Sequence, residues 1–175
     1  MYIQDTKILN IIKYPNKILR QKALPVEKIS EEIFKLVDAM IETMLKNDGI
    51  GLATNQIGEL LRIFVIDTKP LEETPELMAV INPEVIRQEG AVTEEEGCLS
   101  FPELHLQITR PERVCIKAQN LYNEWFVMDA QGVLSRAISH EIDHLNGVLF
   151  IDHVSEAEKE KLKKYLNGLT SVEDI

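Results

Sequence analysis

A chain of 175 residues, 45% hydrophobic and 27% charged, has the balance of a globular protein with one core and is read as a single domain over 1–175. Its formal net charge of −10 argues against a broad basic surface for nucleic acid, and no apolar run approaches the roughly 20 residues that a membrane crossing needs. The opening MYIQDTKILNIIKYPNK lacks the marks of a secretory signal and two cysteines make no disulfide framework, so the expected compartment is the cytoplasm, where a thiol stays free to bind metal.

The first long helix is predicted over 30–47, with Ser30 as N-cap and Ile33, Leu36, Val37, Met40, Met44 and Leu45 as its apolar stripe. Gly49 and Gly51 end it and open a glycine-rich loop. Strands are predicted over 62–67, 77–82, 84–89 after Pro83, 113–118 and 125–128, with Tyr122-Asn123-Glu124 as a turn before the last. A helix over 132–146 follows, closed by Gly147, with Val148-Leu149-Phe150 leaving it extended. Ser155 and Glu158 form a capping box for a final helix over 156–166. Helix, several strands, then two helices is an α+β order. The expected architecture is mostly antiparallel sheets wrapped around the 132–146 helix, with an N-terminal and a C-terminal helix.

That central helix carries His140-Glu141-Ile142-Asp143-His144 within an apolar pattern of Leu134, Ile138, Ile142 and Leu145. Residues i and i+4 overlie each other on a helix, so two imidazoles face one point and can grip a metal ion. Glu141 beside them is placed to move protons for water. A catalytic site of this kind usually takes three protein ligands. Gly147 fits the glycine of the longer protease motif H-E-x-x-H-x-x-G-x-x-H, but its last position is Phe150, which cannot ligate. Glu156, Glu158 and Glu160 lie downstream, in a Glu/Lys run better read as a solvated face, and His153 is a further possibility. The best candidate is Cys98, in Glu96-Gly97-Cys98-Leu99-Ser100; Cys115, inside an alternating strand, reads as a small buried hydrophobe. In Gly49-Ile50-Gly51-Leu52-Ala53-Thr54-Asn55-Gln56, glycines allow close backbone approach and Gln56 offers two amide hydrogens.

Together GIGLATNQ from Gly49, EGCLS from Glu96 and HEIDHLNG from His140 resemble the three ordered motifs of the peptide deformylase family, and IIKYPNKILRQKA is similar to its opening. The resemblance spans essentially the whole chain and implies a hydrolase that removes the formyl group from the N-terminal formyl-methionine of newly made polypeptides. Carried over by position, Cys98, His140 and His144 are the metal ligands and Glu141 the general acid/base. Gln56 and the Leu99 N–H bind the carbonyl oxygen under attack, and Ile50, Gly51, Gly97, Val133, Ala137 and His105 border the substrate groove. Glu96 and Arg110 match an ion pair expected to be structural. The implied cofactor is one divalent ion, Fe²⁺ in the cell, with Zn²⁺, Ni²⁺ or Co²⁺ as alternatives.

The implied partners are formyl-methionyl peptides and the ribosome near its exit tunnel, with no membrane and no direct nucleic-acid recognition. The basic run 159–164 is read as a solvated helix face. Thr54, His105 and Ser139 depart from alanine, arginine and glutamine usual in the family. They bear on substrate affinity and not on reaction type. Two rivals differ by one feature each. A zinc protease would take its third ligand elsewhere than Cys98, and a non-catalytic paralogue would need neither Glu141 nor Gln56.

Overall fold

The computed structural model describes residues 7–68 and 77–170, so the first six residues of the opening segment lie outside it. Helix α1, Glu31–Lys46, buries Ile33, Val37, Met40 and Met44 as its spacing requires. Two details differ from expectation. Ser30 stands at the N-cap, but its hydroxyl donates to Glu32 Oε2 at 2.6 Å and caps no backbone group. Leu45 is 40% exposed, and Thr43 is buried in its stead, its hydroxyl donating to Ala39 C=O and accepting from Leu9 N–H.

Seven strands follow: β1 Gly51–Ala53, β2 Ile63–Asp67, β3 Leu77–Glu89, β4 Val92–Cys98, β5 Phe101–Arg110, β6 Arg113–Gln119 and β7 Trp125–Gln131. They form a five-stranded antiparallel sheet, β1-β2-β3-β6-β7, and a separate β4–β5 hairpin. Helices α2, Gly132–Leu145, and α3, Lys159–Thr170, complete the chain. The class is α+β with antiparallel sheets.

The run Ile63-Phe64-Val65-Ile66 is apolar throughout because both faces of β2 are covered. Ile63 and Val65 pack with Val37, Met40 and Met44 of α1, while Phe64 and Ile66 pack with Leu134, Ile138, Ile142 and Leu145 of α2. Strands β6 and β7 turn Val114, Ile116, Ala118 and Ala130 to α2, leaving Trp125 and Val127 outward. The Lys117 ammonium lies 4.6 Å from the Trp125 ring centre on that outer face. On its other side α2 meets the hairpin, whose Phe101, Leu104, Leu106 and Ile108 form a third cluster with Leu19, Leu149, Phe150 and Ile151. Helix α2 therefore lies between the two sheets.

Three expectations need correction. The strands predicted on either side of Pro83 are one strand. Proline is tolerated there because the register slips between Ile81 and Glu84, with Asn82 at φ 51° and its side chain bonded to Val26 N–H and C=O. Phe150 does not continue an extended exit but starts a 3₁₀ turn, Phe150–His153, in which Asp152 accepts from Leu149 N–H. The Ser155/Glu158 capping box does not form. Glu158 instead accepts from Gln107 N–H at 3.2 Å, a 3₁₀ turn occupies Glu156–Glu158, and the last helix begins at Lys159.

Candidate active site

Helix α2 starts at Gly132 (φ 59°) and stops before Gly147 (φ 73°), where an added Cβ would stand 2.4 Å from the Arg20 carbonyl oxygen, so only glycine fits. Within it His140 and His144 fall one turn apart, with Nε2 atoms 3.1 Å from each other. Cys98 ends β4, just before the 99–100 turn, and its Sγ is 3.3 Å from His144 Nε2. Among the described residues these three side chains are the group whose ligand atoms converge, all within 4.8 Å. A tetrahedral ion with bonds of about 2.0–2.1 Å to nitrogen and about 2.3 Å to sulfur spaces its donors by about 3.3–3.6 Å. The set therefore fits a divalent metal. Glu156 and Glu160 are exposed, Glu158 accepts from Gln107 N–H, and His153 is engaged with Asp143 Oδ2 at 2.7 Å, so none of these joins it.

Behind the ligands is a buried charge cluster. His140 Nδ1 donates to Glu96 Oε1 at 2.7 Å, which leaves Nε2 with its lone pair toward the ligand set. Glu96 also accepts from Arg110 at 2.7 and 3.1 Å and from Arg136 at 2.8 Å. Arg110 reaches on to Asp143, and Asp143 to His153. Burial alone would raise the Glu96 pKa, but hydrogen bonds from His140 and Arg110 hold it well below the usual carboxylate range. Burial pushes His144 well below its ordinary value, so it offers a lone pair at neutral pH. The Glu96–Arg110 pair expected from the sequence is thus present within a larger network. Arg136, which ties Glu96 to Val92 and Ile108 carbonyls, was missed; nothing local distinguishes it from a surface arginine.

Glu141 is buried, and its Oε2 has no hydrogen-bond partner among the described residues. Burial lifts its pKa to about 7. Its other oxygen lies where a Gly51 side chain would be, at 2.4 Å from an added Cβ, so β1 must present glycine here. Gln56 lies in a 3₁₀ turn, Thr54–Ile57. Its Oε1 accepts from Ala53 N–H at 2.9 Å, which turns Nε2 toward Ser100 Oγ at 3.2 Å and Cys98 Sγ at 3.5 Å. Leu99 follows Cys98 in the turn.

These groups floor a cleft of about 550 Å³. Its lining includes Ile50 and Gly51 on one side, Gly97 and His105 on the hairpin, and Val133 and Ala137 on α2. His105 pairs with Gly97 across the hairpin, its ring 3.0 Å from where a Gly97 Cβ would stand. Of the departures, Thr54 turns away from the cleft and donates to Leu61 C=O, while the buried Ser139 hydroxyl has no partner among the described residues. Cys115 is partly buried on β6, on the sheet face away from α2. No described helix is long and apolar enough to cross a membrane.

Known proteins resemble this chain along most of its length. A family model described as polypeptide deformylase matches residues 8–160. The chain is 49% identical over 150 residues to a peptide deformylase of Acidobacterium capsulatum, covering 86% of this chain and 88% of that relative. It is 44% identical over 157 residues to one of Thermodesulfovibrio yellowstonii, covering 90% and 95%. Among solved structures, a peptide deformylase from Legionella pneumophila superposes with a TM-score of 0.86 at 35% identity, covering 95% of this chain and 98% of that one. One from Thermotoga maritima gives 0.79 at 41% identity, covering 85% and 99%.

Proposed function

The chain belongs to the peptide deformylase family of enzymes, and from that premise we propose that it hydrolyses the formyl group from the N-terminal formyl-methionine of new polypeptides, through Cys98, His140, His144, Glu141, Gln56 and the Leu99 N–H. The observation that carries this reading is the convergence of one sulfur and two imidazole nitrogens beside a buried carboxylate, one oxygen of which has no partner among the described residues, at an open cleft.

Cys98, His140 and His144 hold the ion; when bound it supplies Lewis acidity, making water more acidic and the formyl carbonyl more electrophilic. A thiolate with two imidazoles suits Fe²⁺ as well as Zn²⁺, and Fe²⁺ is the proposed physiological metal, with Zn²⁺, Ni²⁺ and Co²⁺ as substitutes. Glu96 keeps His140 oriented and its Nε2 free for the metal. Glu141 accepts a proton from the attacking water and returns it to the departing amine; its burial raises its pKa above that of an ordinary carboxylate, which favours a proton carrier at neutral pH. Gln56 Nε2 and the Leu99 N–H donate to the oxygen as it gains charge. The C–N bond breaks, formate leaves, and the peptide keeps a free α-amine. Ile50, Gly51, Gly97, His105, Val133 and Ala137 form the walls against which the methionine end and the following backbone lie. The proposed setting is the cytoplasm near the ribosomal exit tunnel, where formylated chains emerge.

The test is hydrolysis of formyl-Met-Ala-Ser by protein loaded anaerobically with Fe²⁺ or Ni²⁺. Formate release by the loaded protein is expected. Loaded protein that hydrolyses ordinary peptide bonds and leaves formyl groups intact would overturn the reading.

A further inference from the structure

The 12–14 segment runs past the mouth of the cleft and touches both pieces of chain that carry the proposed oxyanion donors. Ile12 N–H donates to Gln56 C=O at 2.7 Å, and Tyr14 N–H donates to Ser100 C=O at 3.0 Å. Between them the Lys13 ammonium donates to Leu99 C=O at 2.5 Å, and its side chain borders the cleft. The Tyr14 ring stacks on Phe101 at 4.9 Å, which gives this strap a fixed seat on the hairpin.

The direction of the Leu99 N–H is set by the pose of the 99–100 turn. Cys98 anchors the start of that turn through its place among the ligands. The Leu99 and Ser100 carbonyls anchor its end, and both are held by the strap. The Lys13 contact is the charged one, and a charge-assisted hydrogen bond is shorter and stronger than a neutral one. Without it the turn keeps one backbone bond to the strap and gains freedom to rotate. An oxyanion hole depends on donors already aimed at the developing charge, so small rotations translate into rate.

We propose that Lys13 is a positioning residue for the reaction, holding the Leu99 turn in register with Gln56. This rests on the reading of Gln56 and the Leu99 N–H as oxyanion donors. Lys13 is exposed, so removing its charge leaves the core intact.

The test compares Lys13→Met, Lys13→Arg and Gln56→Ala in Ni²⁺-loaded full-length protein on formyl-Met-Ala-Ser. Lys13→Met keeps the aliphatic stem and loses the donor. Its kcat is expected to fall about tenfold, less than the about hundredfold cost of a 1 Å misplacement. Its KM should stay within about twofold, with metal content and Tm unchanged. Lys13→Arg should recover most of kcat. An unchanged kcat in Lys13→Met, a loss confined to KM, or failure of arginine to rescue would each overturn the inference. Gln56→Ala separates the two levels. If it retains full kcat, the donor assignment fails and takes the Lys13 inference with it; if it is crippled while Lys13→Met is not, only the Lys13 inference fails.

Discussion

The two walls of the cleft are built by opposite means. On α2, two proposed ligands and the proposed proton carrier lie within five consecutive residues, and helix geometry alone sets their spacing. On the opposite wall, Cys98, Leu99 and Gln56 come from a hairpin end and a 3₁₀ turn, aligned through contacts such as Gln56–Ser100 and Lys13–Leu99 that span long stretches of chain. A helix carries its own internal hydrogen bonds and holds side chains without outside help. A turn must be pinned from outside, atom by atom. The proposed chemistry divides in the same way: metal holding and proton transfer are assigned mostly to the self-supporting wall, and oxyanion binding to the pinned one.

Substitutions on the two walls should therefore fail differently. The largest effect is expected at Glu141 on α2. Glu141→Ala should fold, keep its metal by elemental analysis, and lose about 10³-fold or more in kcat. A variant that keeps about a tenth of kcat would remove Glu141 from proton transfer. Next is Gln56→Ala on the pinned wall, with an expected loss of about 10²–10³ in kcat and little change in KM. A pure KM effect there would mean that the amide grips substrate without favouring the transition state. Glu96 links the walls, because it sits on β4 and orients His140 on α2. Glu96→Gln should weaken metal affinity about 10–100-fold, measured by competition with a chelator. Unchanged affinity would show that α2 orients its imidazoles unaided.

Smaller effects should fall outside the reacting atoms. His105→Arg on the hairpin should lower KM for formylated tripeptides about fivefold with kcat unchanged, since a longer, permanently charged donor with several N–H groups replaces a shorter side chain. No change would place His105 beyond reach of the peptide. The smallest belongs to Arg20–Asp152, away from both walls. Burial would raise the Asp152 pKa, but Arg20 and the Leu149 N–H lower it. A folded value below the unfolded one gives stability that is present above about pH 4 and lost as pH falls through the folded value. The pair is partly exposed, so Asp152→Asn should cost no more than about 1 kcal/mol at pH 7, less in acid, with kcat untouched. Urea midpoints at both pH values check this.

What could be read in advance follows the same division. His140 and His144 were legible because a helix period needs only neighbouring residues, and β2 because a doubly covered strand shows as an apolar run. Cys98 stood out because two histidines need a third ligand, whereas Gln56 and Leu99 acquired roles through resemblance. The β4–β5 hairpin escaped notice because Glu94-Glu95-Glu96 reads as solvated acid. Glu94 and Glu95 are exposed, and Glu96 turns inward only because Arg110, Arg136 and His140 await it from distant positions. The Ser155/Glu158 box failed for a like reason, its glutamate being taken by Gln107. Local patterns predict elements; they do not show which partner wins a side chain.

The strap at 12–14 also bears on how the protein matures. The same stretch of chain continues to Ala23, whose N–H donates to the Leu145 carbonyl at the end of α2. Residues 12–23 thus meet the glutamine turn, the cysteine turn and the metal-binding helix. They are synthesised before every one of these and can be secured only after Leu145 has been made. Contacts between such distant segments carry the greater loop-closure entropy and tend to form late. During synthesis the Gln56 and Cys98 segments exist for a time without His140, His144 or a settled strap. An enzyme proposed to act on nascent chains therefore cannot assemble its own site until Leu145 has been synthesised.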